Sequence, residues 1–260
     1  MDEYPRTILE FEARFASEEA CRDYLMSLRW PEGFQCPACG HPKGWWTARL
    51  LVHCARCGHQ TSVTAGTILQ DTRKPLRLWF RAMWYVTSQK SGVSALGLQR
   101  VLGLGSYHTA WAWLHKLRRA MVRPGRDRLA GTVQVDETYL GGEKPGLGGR
   151  GAGGKCLVVI AAEKDGARTG RIRLRRVPDA SAKSLHGAIT EAVELGSTIQ
   201  TDGWPGYCTL GSVGYDHRVI RPADELGEHP LPHCHRVASL LKRWLLGTHQ
   251  GAVRPSHLDY

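Results

Sequence analysis

The sequence predicts a chain of several modules: a small cysteine ribbon, a helical module and a C-terminal α/β domain. Two Cys-x-x-Cys pairs lie between residues 36 and 57, and apolar residues recur at helical spacing from about residue 74 to 122. From residue 133 onward, short apolar runs alternate with Gly-rich turns. We therefore divide the chain into a helical segment, the ribbon, the helical module and the α/β domain, over residues 1–33, 34–66, 67–127 and 128–260.

The chain is strongly basic. Its 260 residues have a formal net charge of +11 and a pI of about 9.5, and arginines cluster in HKLRRAMVRPGRDR and RTGRIRLRR. Clustered cations favour a polyanionic partner, most often a nucleic acid, with a membrane surface as the alternative. No apolar run has the length of a membrane span, and the N-terminus lacks the pattern of a secretory signal. We expect a soluble, cytoplasmic protein without a membrane partner.

The N-terminal segment is predicted to contain a helix. Ser17 suits the cap position, because serine side chains accept hydrogen bonds from N–H groups of the first helical turn. Behind it, apolar residues recur at helical spacing: Ala20, Cys21, Tyr24, Leu25 and Leu28.

The paired cysteines predict a structural zinc site. A Cys-x-x-Cys turn brings two sulfurs to zinc-ligand spacing, and the glycine after each pair lets the backbone curl around the ion. Two pairs complete a tetrahedral site, so the zinc has no open position for catalysis. The residues concerned are Cys36, Cys39, Cys54 and Cys57, followed by Gly40 and Gly58. Two roles stay open for the ribbon: stabilising itself alone, or contacting nucleic acid or protein.

The remaining cysteines and the histidines near the ribbon are not expected to bind zinc. In a reducing cytosol the scattered cysteines are expected to be core thiols: Cys21, Cys156, Cys208 and Cys234. The histidines are expected to face solvent or to stack on other rings: His41, His53 and His59.

The helical module resembles two helix-turn-helix-like halves. Ser94 could start a short helix, ALGLQRVL, and GLGS would form the turn before a recognition-type helix over residues 107–119. A mixed aromatic and basic face suits contacts with a DNA groove and phosphates, here through Tyr107, Trp111, His115, Lys116 and Arg119. The alternative is an ordinary helical bundle. We favour DNA contact for the basic residues and the bundle core for Trp79, Trp84, Trp111 and Trp113.

From residue 128 the pattern suits a ribonuclease-H-like α/β domain. Three strands are predicted in TVQVDETYL, CLVVIAAEK and RIRLRRV, followed by an amphipathic helix in SAKSLHGAITEAV. A short strand in TIQTDGW, a fifth strand in HRVI and a final helix in HRVASLLKRWLLG complete the order. The stretch GGEKPGLGGRGAGGK predicts a flexible loop between the first two strands.

Two aspartates form a candidate metal site in this domain. Asp136 lies within an apolar strand, where its burial costs free energy unless it binds a cation or joins a hydrogen-bond network. Asp202 ends the strand TIQTDGW, although a strand-end aspartate is more often a turn former. Two carboxylates brought together repel, and Mg²⁺ or Mn²⁺ would relieve this and activate water or a DNA 3′-hydroxyl. Glu137 points to the opposite face of the strand, so we do not expect it as a ligand.

The last predicted helix offers two further residues. His235 and Lys242 are seven residues apart, which places them two turns apart on one helix face. A histidine there can bind metal or orient water, and a lysine suits a phosphate contact. The alternative, which these residues alone favour, is a helix-capping histidine and a solvated lysine.

Several motifs, in order along nearly the whole chain, resemble insertion-sequence transposases with an N-terminal zinc ribbon and a DDE-type catalytic domain: EFEARFASEEACRDYLMSLRWPEGFQCPACG, VDETYLGG, TDGWPGY and HRVASLLKRWLLGTHQG. The resemblance implies that Asp136 and Asp202 are the first two catalytic acids. It implies His235 at the third, metal-binding position and Lys242 two turns later, a DDHK variant. It further implies metal-dependent cleavage and transfer of double-stranded DNA at the element's ends, by a nucleoid-associated homo-oligomer that synapses them.

One departure from that family bears on activity. Its members usually continue with another helix rich in Phe, Arg and Asn, whereas this sequence stops at Tyr260. We therefore expect a C-terminally truncated catalytic domain. The alternative functions are an inactive remnant that acts as a zinc-dependent DNA-binding protein or repressor, and a host nuclease of the same fold that cleaves without end preference.

We predict that DNA binding by the full chain weakens steeply as salt rises. Lysine and arginine contacts to phosphates release counterions, so the logarithm of the binding constant falls linearly with the logarithm of salt concentration. A fluorescence anisotropy titration over a salt series measures this slope. A flat salt dependence would exclude the basic clusters as the contact surface.

Overall fold

The computed structural model describes residues 4–122, 125–141, 155–221, 230–249 and 258. The chain divides into two compact units, one of Met1–Ser88 and Ala95–Met121 and the other of Gln89–Ser94 and Val122–Tyr260. Apart from its two end residues, the predicted Gly-rich loop lies outside the described residues. Among the helices of the described residues, none has both the length and the apolar character needed to cross a membrane.

The first unit contains five helices and a small three-stranded antiparallel sheet in its described part, with strand order β1-β2-β3. Ser17 caps the second helix as predicted, because its hydroxyl accepts a hydrogen bond from the N–H of Ala20 at 3.0 Å. In chain order the elements are α1 (Ile8–Arg14), α2 (Glu18–Arg29), β1 (Gly44–Trp46), β2 (Val52–Cys54), β3 (Gln60–Thr61), α3 (Leu76–Ser88), α4 (Ala95–Leu102) and α5 (Tyr107–Met121).

Charged side chains at the two ends of α2 connect it to the ribbon and to α3. The guanidinium of Arg29 donates to the carbonyls of Ser62 at 3.1 Å and Val63 at 3.0 Å, just after β3. The carboxylate of Glu18 accepts from the N–H of Leu76 at 2.8 Å and of the next residue at 2.9 Å. These N–H groups begin α3 and have no partner within it, and a negative charge there also suits the helix dipole.

Two stacked tryptophans form the centre of the helical core. The rings of Trp79 on α3 and Trp113 on α5 lie 3.7 Å apart and both side chains are buried, which confirms their predicted place. Trp84 is half-buried against Phe11, with ring centroids 4.9 Å apart. The core prediction is wrong for Trp111, which is 50% exposed. Its position lies about 100° around the helix from the centre of the buried apolar row of α5, which consists of Ala110, Trp113, Leu114 and Leu117; Arg118 is also buried, outside that row.

The second unit contains a five-stranded mixed sheet with strand order β6-β5-β4-β7-β8. Strands β4, β5 and β6 pair antiparallel, whereas β7 pairs parallel with both β4 and β8. Every helix and strand predicted after residue 128 is present. The last helix begins earlier than predicted, at Pro232, because proline suits the first position of a helix. The elements are β4 (Thr132–Leu140), β5 (Cys156–Asp165), β6 (Arg168–Val177), α6 (Ala182–Ala192), β7 (Thr198–Thr201), β8 (Asp216–Val219) and α7 (Pro232–His249).

Helices α6 and α7 cover opposite faces of this sheet. Val133 and Val135 of β4 pack in one cluster with Leu185 and Ile189 of α6. On the other face, residues of β5 pack with residues of α7 in a second cluster that includes Ile160, Ala162, Leu231, Cys234 and Val237. Because side chains alternate along a strand, Gln134 and Asp136 share the face that α7 covers.

The scattered cysteines follow the prediction with one exception. Cys21, Cys156 and Cys234 are buried, as expected for core thiols, but Cys208 is exposed. Cys208 follows a short 3-10 turn in which Tyr207 fills the inward position, so the next side chain points to solvent.

The ribbon has a small core, against which Met26 and Trp30 of the preceding helical segment pack. Its buried side chains are Phe34, Cys36, Val52 and Cys54, two of which are zinc-ligand candidates. An apolar cluster of this size supplies little free energy of folding, so the ribbon is expected to depend on its metal.

We predict that removing zinc with a chelator unfolds the ribbon while the five-stranded sheet persists, because the sheet belongs to the other compact unit. Metal release, near-ultraviolet circular dichroism of the tryptophans and thermal melting monitor the two events. A C57S variant should reproduce the chelated state without chelator. Loss of the sheet together with the metal would contradict the prediction.

Candidate functional site

The four paired cysteines come together as predicted. Their sulfurs all lie within 4.8 Å of one another, with 3.6 Å between Sγ of Cys36 and Cys57 and 3.7 Å between Sγ of Cys39 and Cys54. Zn–S bonds of about 2.3 Å in a tetrahedron place sulfurs roughly 3.8 Å apart, so this spacing fits zinc. None of the histidines near the ribbon belongs to this group in the described residues.

The two cysteine pairs repeat one backbone pattern. The N–H of Cys36 donates to His41 O at 3.0 Å, and the N–H of Cys54 donates to His59 O at 2.9 Å. Gly40 has φ +70° and Gly58 φ +71°, a conformation that glycine adopts without strain. N–H groups of Cys57 and Arg56 lower the pKa of the Cys54 thiol to about 6, which favours the thiolate that zinc binds.

The second candidate site lies where β4 meets α7. The side chain of Asp136 is largely buried, whereas that of His235 is half exposed. Nε2 of His235 lies 3.4 Å from Oδ2 of Asp136, within ion-pair distance when the imidazole is protonated. The other oxygen, Oδ1, accepts from the N–H of Glu137 at 2.8 Å. The structure therefore brings two of the predicted site residues into contact across 99 positions of sequence.

Asp202 follows the end of β7, the parallel neighbour of β4. The last paired residues are Gln134 and Gln200, which precede Asp136 and Asp202 by two positions each. Oδ1 of Asp202 accepts from the N–H of Trp204 at 3.0 Å, the contact of a turn-forming aspartate. Among the described residues, only the four cysteines form a group of potential ligands with all donor atoms within 4.8 Å, so Asp202 does not meet Asp136 and His235 at that spacing.

Glu137 points away from Asp136, as predicted from strand alternation. Its Oε2 accepts a 2.6 Å hydrogen bond from the hydroxyl of Tyr207, which is fully buried. Burial, and then the negative charge of Glu137, raises the pKa of the Tyr207 hydroxyl above its usual range, so it remains a donor. The negative charges of Asp136 and Asp202 act in the same direction. The motifs VDETYLGG and TDGWPGY contain both partners, but sequence reasoning missed the bond.

Gln134 connects the three elements around the acidic site, and sequence reasoning missed it as well. Its Nε2 donates to Oε1 of Gln200 on β7 at 3.3 Å. Its Oε1 accepts from the N–H of His233, in the first turn of α7, at 3.0 Å. Nδ1 of His233 lies 2.9 Å from the hydroxyl of Thr169 on β6. The start of α7 is thus fixed to the sheet two residues before His235.

The predicted DNA-binding residues lie on exposed faces of two helices. On α5, Tyr107 and Trp111 are about half exposed, and the ring of His115 lies 4.1 Å from that of Trp111. The remaining predicted contacts are exposed: Lys116 and Arg119 on α5, and Lys242 on α7.

We predict that Y207F lowers the free energy of unfolding by about 1.5–3 kcal/mol, because the Glu137 carboxylate loses a buried donor. The matched control is Y215F, since Tyr215 is also buried but donates to the neutral carbonyl of Val193 at 3.1 Å. That change should cost about 0.5–1.5 kcal/mol. Urea unfolding of the full-length variants measures both losses. A Y207F loss no larger than that of Y215F would contradict the charged hydrogen bond.

Comparison with known families adds to this geometry. The model of the ISXO2-like transposase domain, a DDE-type domain, matches residues 128–260, and that of the transposase zinc-ribbon domain matches residues 16–60. No significant match is found among curated proteins.

Among solved structures, the simian T-cell lymphotropic virus intasome in complex with PP2A regulatory subunit B56 gamma aligns with 64% of this chain and 62% of that chain, at 16% identity and a TM-score of 0.34. This likeness is too weak to support an assignment. The transposase domain model, however, covers more than half of the 260 residues, and the zinc-ribbon model matches the region of the clustered cysteines. The predicted resemblance is therefore confirmed: the chain belongs to the ISXO2-like transposases, and it carries a transposase zinc ribbon before its DDE-type domain.

Proposed function

We propose that this protein binds the ends of an insertion sequence and catalyses metal-dependent cleavage and transfer of DNA strands. Asp136, Asp202 and His235 are the proposed ligands of a catalytic Mg²⁺ or Mn²⁺. The observation that best supports the proposal is the 3.4 Å approach of His235 to Asp136, on the strand that pairs with β7, which Asp202 follows. Membership of a DDE-type family supports the same class of enzyme.

The chemistry of the donor set fits a hard divalent cation. The two carboxylates offer the oxygen ligands that Mg²⁺ and Mn²⁺ prefer, whereas an imidazole nitrogen is a softer ligand that Mn²⁺ accepts more readily than Mg²⁺. When bound there, such an ion would polarise a phosphate and lower the pKa of water or a 3′-hydroxyl. Asp136 is largely buried, and a cation lowers the free-energy cost of keeping a carboxylate in that position.

The protein side chains have separate tasks in this proposal. The N–H of Glu137 fixes one oxygen of Asp136 at 2.8 Å, and the turn at Trp204 fixes one oxygen of Asp202 at 3.0 Å. Gly203, which follows Asp202, has φ +82°, and this backbone conformation lets the chain turn sharply after β7. Lys242, exposed two turns after His235, is placed to contact a DNA phosphate.

We assign recognition of duplex DNA to α4 and α5 as a helix-turn-helix pair. Helix α4 begins directly after Ser94, and a four-residue turn separates it from α5. The exposed side of α5 combines aromatic and basic side chains, a mixture that suits a DNA groove with its phosphates. The proposed contacts are Tyr107, Trp111, His115, Lys116 and Arg119.

We also propose a ribonuclease-H-like arrangement for the second unit and a homo-oligomer on two DNA ends. Three antiparallel strands followed by two parallel ones, with helices on both faces, support the first. Joining of two element ends requires both within one complex, which supports the second. An active protein of this kind would be found with the nucleoid.

We predict that D136N and D202N each reduce cleavage and strand transfer by about 100-fold or more, because each loses a charged ligand. The matched control is D165N, since Asp165 ends β5 at the hairpin before Gly166 and asparagine suits the same turn. The assay follows a labelled element end with Mg²⁺ or Mn²⁺.

Full cleavage by D136N and D202N would refute the assignment. Tight end binding without metal-dependent cleavage by the wild-type chain would instead identify a binding protein or repressor. Cleavage without end preference would identify a nuclease.

A further inference from the structure

Three side chains form a row across the outer face of the ribbon sheet. Trp45 of β1 pairs in register with His53 of β2, and His53 pairs with Gln60 of β3. Residues in register lie side by side on the same face of a sheet. We call Trp45, His53 and Gln60 the outer row.

The outer row is ordered by its own contacts. The rings of Trp45 and His53 lie 4.6 Å apart with an interplanar angle of 30°. Nδ1 of His53 lies 3.2 Å from Nε2 of Gln60, so the imidazole is fixed from its other side. The imidazole therefore supports one face of the indole at a defined position.

The other face of the indole lies beyond the edge of the sheet. β1 is an edge strand, so within the described ribbon sheet no strand lies on the far side of Trp45. The side chain keeps 55% of its surface exposed despite its stacking on His53. An exposed tryptophan that is supported from behind offers a flat apolar surface to a ligand.

Neither the zinc site nor the ribbon core explains the outer row. Val52 and Cys54, on either side of His53, point to the opposite face and pack with Phe34 and Cys36. The sheet thus separates the metal and the core from the outer row.

The segments that flank the ribbon strands contain basic side chains, which suit a polyanion. Residues 33–70 contain three cations, Lys43, Arg49 and Arg56, and no aspartate or glutamate. All three cations are exposed. They lie in the segments that flank the strands: one precedes β1, one is in the β1–β2 turn, and one follows β2.

We infer that the outer row is a stacking site for an unpaired base of a DNA strand. A duplex presents phosphates and base edges, whereas the flat face of a base is open only where strands are unpaired or end. A supported indole, in a ribbon with exposed lysine and arginine side chains between and beside its strands, matches a base face attached to a phosphate backbone. The inference rests on the proposed function, because cleavage at an element end is what would supply unpaired nucleotides to the protein. Stacking of a base on Trp45 does not itself require cleavage.

The test compares the affinity of the full, zinc-loaded chain for a blunt duplex and for the same duplex with a short oligo-dT overhang, without divalent metal. The wild-type chain should prefer the overhang. W45A should weaken overhang binding by about 5- to 150-fold and affect blunt-duplex binding much less, since a blunt duplex presents only the faces of its terminal base pairs. W45F, which keeps an aromatic ring, should retain most of the preference.

The matched control is W46A. Trp46 is the next residue and is also exposed, but it pairs with Val52 on the opposite face, with the guanidinium of Arg22 5.9 Å from its ring. This variant should keep the overhang preference. One zinc per chain in each variant establishes that the ribbon remains folded.

Salt dependence separates stacking from charge. W45A should lower affinity without changing the salt slope, whereas R49A with R56A should reduce the slope.

Equal binding of both DNAs by wild type, or full overhang preference in W45A, would overturn the inference. A change of self-association in W45A without any effect on DNA binding would also overturn it, by identifying a contact between copies of this chain. D136N should keep the preference for the overhang, because Asp136 is assigned to catalysis and not to base stacking. An error in the catalytic assignment would therefore change cleavage and leave this binding result as it is.

Discussion

The side-chain amide of Gln134 bonds to two elements at once, and the acidic site depends on this arrangement. It donates to Gln200 on the parallel strand β7 and accepts from the first turn of α7, and it is 4% exposed. A buried amide without partners costs about 1–3 kcal/mol for each group left unbonded. The register of β4 with β7 and the start of α7 are therefore set together. Asp136, two residues along the same face, then lies beside His235.

Strand alternation explains why this constraint is strict. One face of β4 is apolar around Val133 and Val135, while the face towards α7 contains Gln134 and Asp136. A slip of one residue would move both polar side chains into the apolar cluster beneath α6. The Glu137–Tyr207 hydrogen bond fixes the same strand from the opposite side. Residues on both faces of β4 thus determine where the carboxylates lie.

Much of this organisation could be predicted from local pattern. Cysteine spacing predicts the zinc cluster, and periodicity predicts α2 to α5 and the strands and helices of the second unit. The three short ribbon strands and the division of the N-terminal segment into two helices were not predicted. The other exceptions are side chains whose partners are distant in sequence: Gln134 and His233 are 99 positions apart, and Glu137 and Tyr207 are 70 apart. Trp111 was wrongly expected in the core because residue type alone does not define which side of a helix is buried. Exposure of Trp45 is likewise a property of the edge strand and its packing, which spacing does not reveal.

The central claim is that the pairing register of β4 with β7 and the packing of α7 on the sheet create a site for a divalent cation in the second unit. Titration of the zinc-loaded chain with Mn²⁺, followed by calorimetry or water-proton relaxation, tests it without DNA or catalysis. The account predicts one Mn²⁺ site in the wild type, weakened at least about tenfold in D136N and D202N and unchanged in D165N. Equal Mn²⁺ affinity in the wild type and in D136N and D202N, or no binding by the wild type, would contradict it.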